Sequence, residues 1–142
     1  YALAGLRLGY AVCSSEEFAN AIRLATSTFN VSGIAEAAVM AALDDADYTK
    51  FILDDNEREM NRIKAKCKKL GLHYMDSVTN FISIDAGIPN GEVVKAMRDR
   101  GIRISTPGYE SSGTFIRVST GRSDDTTVFL TSLEEVLAHL KS

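Results

Sequence analysis

The repeat of apolar residues changes period at Gly71, and that change sets the class of fold open to this chain. Tyr48, Ile52, Met60, Ile63, Cys67 and Leu70 recur in threes and fours with one doubled step. This is the pattern of one face of a long helix running from Tyr48 to Leu70. Lys64 to Lys69 place positive charge at its C-terminal end, favourable against the helix dipole, and Gly71 suits the residue just past that end. Beyond it Asn80-Phe81-Ile82-Ser83-Ile84-Asp85 alternates as a half-buried strand does. A long amphipathic helix followed by alternating strands predicts helices packed on a sheet.

The rest of the C-terminal half fits that scheme. Pro89-Asn90-Gly91 opens a helix that buries Val93, Val94 and Met97, and Gly101 ends it. Ile102 to Ser105 reads as a short strand, Pro107-Gly108 and Ser111-Ser112-Gly113 as a loop, and Thr114 to Thr120 as another strand. Ser123-Asp124-Asp125 caps a last helix with Phe129, Leu133, Val136, Leu137 and Leu140 on one stripe. The expectation is an α/β sandwich with a small, mostly antiparallel sheet over residues 45–142.

Residues 1–44 read differently. Gly5 to Cys13 looks like a turn feeding an apolar strand, and Ser14 with Glu17 has capping-box spacing at the start of a helix. Ile34 to Leu43 carries one charge, Glu36, and is apolar around its whole circumference. Such a helix is expected to be covered on all sides, yet little else in the sequence could cover it. The chain starts at Tyr1 rather than Met and reads as cut from something longer, with one strand and two helices left from a different core.

Composition narrows the function. Of 142 residues, 16 are Lys or Arg and 19 are Asp or Glu, a net charge of −3. That is no basic excess for binding nucleic acid or a membrane surface. The apolar run Ala37 to Leu43 is far short of the roughly 20 residues of a membrane span. Cys13 and Cys67 cannot form a disulfide framework, so a cytoplasmic, reduced protein is expected. With His73 and His139 as the two histidines and no metal-ligand spacing, no metal site is expected.

Arg7 and Arg117 stand in otherwise apolar stretches, where a guanidinium is costly unless it meets an anion. A structural carboxylate or a small dianionic or zwitterionic ligand would each satisfy them, since the planar fork suits carboxylate and phosphate alike. A stand-alone α/β anion-binding module is therefore one expectation.

Ala4-Gly5-Leu6-Arg7-Leu8-Gly9-Tyr10 resembles a second class of protein more specifically. It is similar to the segment just after the Schiff-base lysine of fold-type I aminotransferases that use pyridoxal 5′-phosphate. Phe29-Asn30-Val31-Ser32, Thr79-Asn80-Phe81-Ile82, Gly101-Ile102-Arg103-Ile104 and Phe115 to Gly121 follow that family's order. The histidinol-phosphate subgroup looks most alike. The resemblance implies a large-domain remnant over 1–44, a small domain over 45–142, and a homodimer acting on an amino acid and a 2-oxo acid. It implies that Arg7 meets the cofactor phosphate, that Arg117 clamps the substrate carboxylate and that Asn30 lies near the active site. The family's second substrate arginine falls near Ser105 here, with Arg103 two residues earlier as the substitute. The catalytic lysine and the aspartate on the pyridine nitrogen would lie upstream of Tyr1. These 142 residues are thus expected to hold no catalytic residue and to be inactive alone.

Overall fold

The computed structural model describes residues 1–108 and 113–142; Ser111 and Ser112 of the expected loop lie outside them. Its backbone groups into two units, Tyr1–Leu53 and Asp54–Ser142.

The second unit holds a closed core. Helix α3 (Ala46–Leu70) leads to strands β1 (Tyr74–Met75) and β2 (Phe81–Asp85), helix α4 (Asn90–Asp99), strand β3 (Phe115–Ser119) and helix α5 (Ser123–Leu140). The strands form one antiparallel sheet in the order β1-β2-β3. Ile82 and Ile84 of β2 stand opposite Val118 and Ile116 of β3, and all four are buried on one face. Met60, Ile63 and Cys67 of α3, Val93 and Met97 of α4, and Phe129, Leu133, Val136 and Leu137 of α5 complete that core. The apolar spacing read from the sequence packs from Met60 onward, whereas Tyr48, at the start of the expected stripe, is half exposed. Burial pushes the Cys67 thiol up to about 11, so it stays protonated at neutral pH.

Both α3 and α4 end in the same way. Gly71 and Gly101 have φ of 67° and 77°. Leu72 N–H reaches back to Cys67 O at 2.9 Å, and Ile102 N–H to Met97 O at 3.0 Å. This is the Schellman turn, which needs a left-handed residue just past the helix. A Cβ on Gly71 would meet nothing within 4 Å, so substitution there tests conformation alone. Gly71→Ala is expected to cost about 1–2 kcal/mol, the penalty of a left-handed L-residue, read from the shift of a urea unfolding midpoint. An unchanged midpoint would contradict it.

Several expectations are corrected. No strand forms over Gly5 to Cys13: Ala4–Leu6 is one 3-10 turn and Arg7 closes it at φ 55°. A doubly covered strand needs hydrogen-bonded neighbours, and among the described residues none pairs with this segment. Ile102 to Ser105 is not a strand either; it touches the sheet at a single bridge, Ser105 to Arg117. The two-residue β1 was not foreseen. The cap of helix α1 (Glu16–Ala25) is Ser15 rather than Ser14, accepting from Phe18 N–H at 3.2 Å. Ser123 lies inside α5, after Arg122 at the cap position.

In the first unit, helix α2 (Gly33–Asp44) forms as expected but is not covered. Ala35 is buried, whereas Ile34 is 78% exposed and Met40 and Leu43 are more than half exposed. Among the described residues no helix is long and apolar enough to cross a membrane.

Candidate functional site

Arg103 and Arg117 line one open groove of about 530 Å³ in the second unit. Its walls come from three places. The Schellman turn at Gly101 releases the chain from α4 into an extended segment carrying Arg103 and Ser105. The backbone of Ser105 then bonds that of Arg117 in both directions, at 3.1 and 2.6 Å. The start of α5 supplies Asp125, Thr126 and Phe129. Two arginines and one aspartate are therefore among the residues lining one small volume. Such a set suits a ligand with one or two anionic groups and a cationic one.

Neither arginine is buried, which corrects the desolvation reasoning applied to Arg117. Arg117 stands on the uncovered face of β3, with its guanidinium carbon 4.7 Å from the centre of the Phe81 ring. Among the described residues neither Arg103 nor Arg117 has a carboxylate partner. In the first unit Arg7 is exposed too, its Nη1 donating to Ala4 O at 3.0 Å. Asn30 is exposed, one residue after Phe29, which has φ 59°. The structure thus brings Arg103 and Arg117 together, while Arg7 and Asn30 belong to the other unit.

One polar group linked to the start of α5 is not singled out by the sequence. Glu59 of α3 is fully buried. Its Oε1 accepts from Arg58 Nε at 3.0 Å and its Oε2 from Arg62 Nη1 at 2.6 Å. Arg62 also donates to the carbonyl and hydroxyl of Ser123, both at 3.0 Å, and to the Thr127 hydroxyl at 2.5 Å. One buried carboxylate and one arginine so tie α3 to the first turn of α5, which forms a groove wall. Burial alone would raise the Glu59 carboxyl, but the Thr126 hydroxyl, Arg62 and Arg58 hold it below its ordinary 4.5. The Thr126 hydroxyl is near enough to contribute, yet its geometry falls short of a formed hydrogen bond.

Known proteins match across most of the chain. The family model for aminotransferase class I and II matches residues 1–133. Histidinol-phosphate aminotransferase of Geobacillus thermodenitrificans is 36% identical over 124 residues, covering 87% of this chain and 34% of that protein. Histidinol-phosphate aminotransferase 2 of Pseudomonas aeruginosa is 37% identical over 139 residues, or 98% of this chain and 37% of that one. The crystal structure of histidinol-phosphate aminotransferase from Sinorhizobium meliloti in complex with pyridoxal-5′-phosphate matches with a TM-score of 0.84. Its identity is 33%, over 99% of this chain and 39% of that one. The chain spans little more than a third of the length of these relatives. With the family model matching almost end to end, the chain belongs to the aminotransferase class I and II family.

Proposed function

We propose that this chain is the substrate-anion-binding part of a pyridoxal 5′-phosphate-dependent aminotransferase. It would move an amino group between an amino-acid-type donor, histidinol phosphate in particular, and a 2-oxo acid. The observation that carries the proposal is the groove shared by Arg103 and Arg117, neither ion-paired among the described residues. Arg117 takes the substrate carboxylate through its two-pronged edge, and Arg103 takes a second anionic group such as a phosphate. Asn30 is assigned a hydrogen-bonding role toward the substrate. Residues 1–44 are read as the tail of a large cofactor-binding domain and 45–142 as the small domain.

The donor set also suits the cofactor's phosphate. Arg7 has one N–H engaged by a backbone carbonyl and no carboxylate partner among the described residues, leaving donors for a phosphate. When bound, pyridoxal phosphate supplies the carbonyl and electron-withdrawing ring on which amino-group transfer depends. The lysines here offer no obvious reactive amine. Lys64, Lys66 and Lys95 pair with Asp76, Glu134 and Asp99. Alone, these 142 residues are proposed to be inactive. The apolar side chains exposed over residues 1–53 support a further protein surface there, in keeping with a longer chain and a homodimer.

In the enzyme at its natural length, Arg117→Ala should raise KM for the 2-oxo acid by about ten- to a hundredfold, the worth of a charge-assisted hydrogen bond. Arg103→Ala should raise KM for a phosphorylated donor and spare a non-phosphorylated one. An unchanged KM in Arg117→Ala would overturn the assignment. The alternative, an anion-binding module without catalysis, is supported by the same groove, which needs no lysine to hold an anion. It predicts that the natural-length protein binds the 2-oxo acid but transfers no amino group.

A further inference from the structure

Arg117 is an exposed side chain with many rotamers, and an anion would have to order it at an entropic cost. Two contacts already restrict it. Its backbone N–H and C=O are both bonded to Ser105, and on its other side Ser83 of β2 stands opposite in the sheet register. Its head lies over a ring: Phe81 is paired with Ser119, two residues along β3, so Phe81 and Arg117 are diagonal neighbours on the face away from the core. Diagonal neighbours on adjacent strands are within reach when one side chain is aromatic and the other long. The negative ring face attracts the flat face of a guanidinium. A stacked guanidinium keeps its N–H edge for a forked acceptor.

We propose that Phe81 is a positioning residue for Arg117, holding the guanidinium flat so that its hydrogen-bonding edge is ready for a planar carboxylate. The proposal rests on Arg117 being the carboxylate-binding arginine. Phe81 itself need not touch the substrate. Its half-buried position on β2 gives it a packing role too, so the test must separate the two.

The experiment uses the 142-residue chain with succinate as the carboxylate probe, followed by NMR of the Arg117 side chain. In the unsubstituted chain the Arg117 Cδ and Nε protons should be shifted upfield by the ring; random-coil positions would overturn the proposal with no variant needed. Phe81→Leu, which keeps apolar bulk without a ring, should abolish that shift and weaken succinate about two- to fivefold, the scale of an exposed cation–π contact. Phe81→Tyr should restore both. In an Arg117→Ala background, Phe81→Leu should change succinate affinity no further. If Arg117→Ala abolishes binding but Phe81→Leu leaves it intact, the positioning role fails and the carboxylate assignment stands. If Arg117→Ala binds normally, the carboxylate assignment fails and the positioning role falls with it. A loss in Phe81→Leu that Tyr does not rescue, or that persists without Arg117, marks a packing effect and also overturns the proposal.

Discussion

Arg62→Ala is expected to destabilise the second unit by about 3 kcal/mol, because it strands a buried carboxylate with half its partners. Glu59 would keep Arg58 but lose the 2.6 Å bond from Arg62. The first turn of α5 would lose its tie to α3 in the same stroke. The effect carries a pH signature. The Glu59 carboxyl is held below its ordinary 4.5 in the folded chain. Its stabilising contribution is therefore complete above that value and is lost as pH falls through the lower folded one. Without Arg62, burial weighs more heavily and the carboxyl takes up its proton at higher pH. The stability gap between the two proteins should thus narrow in acid. Urea unfolding at neutral pH and below pH 4 measures both quantities. A gap that stays constant would mean that the bonds to Ser123 and Thr127, not the carboxylate, account for the loss. Glu59→Met should cost less than Arg62→Ala, since removing the buried charge also removes the need to neutralise it.

A second large effect is expected at Ile84, and almost none at Ile34. Ile84 is fully buried on the central strand, with β1 and β3 bonded on either side. That backbone cannot easily move to fill a hole, so Ile84→Ala should cost about 3–4 kcal/mol. Ile34 is 78% exposed at the start of α2. Ile34→Ala should stay within about 0.5 kcal/mol, since surface changes rarely cost more and Ala is the better helix former. Denaturant midpoints in the 142-residue chain give both values. Equal costs would mean that α2 is packed far more tightly than its exposure indicates. In the natural-length protein a cost at Ile34 that appears only there would measure whatever surface covers α2.

The helices of the second unit were legible because their apolar spacing is a local property: α3, α4 and α5 bury most of the residues expected of them, although Tyr48 is half exposed and Val94 only partly buried. Strands were legible only where alternation was strong. Phe81 to Asp85 and Phe115 to Ser119 were read correctly, whereas Gly5 to Cys13 and Ile102 to Ser105 were not. A strand exists through its partners, and apolar composition alone does not supply them. The doubled step in α3 between Ile52 and Met60 is filled by polar residues of the same face. Counting by threes and fours, the inward face passes through Asn56 and Glu59, and both do reach inward. Asn56 accepts from the Thr120 hydroxyl at 2.8 Å, and Glu59 is the buried carboxylate. A gap in an apolar stripe marked the polar link between α3 and the groove wall. Arg117 was singled out for being an expensive buried cation, but it is exposed. Its interest comes from the ring beneath it and the second arginine beside it, and neither depends on burial.

The single bridge between Ser105 and Arg117 has a further consequence. It leaves the outer margin of β3 paired at one point, so the remaining backbone groups there could template another extended chain. Natural sheets guard such margins with charge, and Arg117 and Arg103 stand beside this one. Arg117→Ala would therefore remove a gatekeeper against self-association as well as an anion contact. Arg117→Lys keeps the charge while giving up the fork. Set side by side, the two variants should differ in solubility even where they agree in weakened binding.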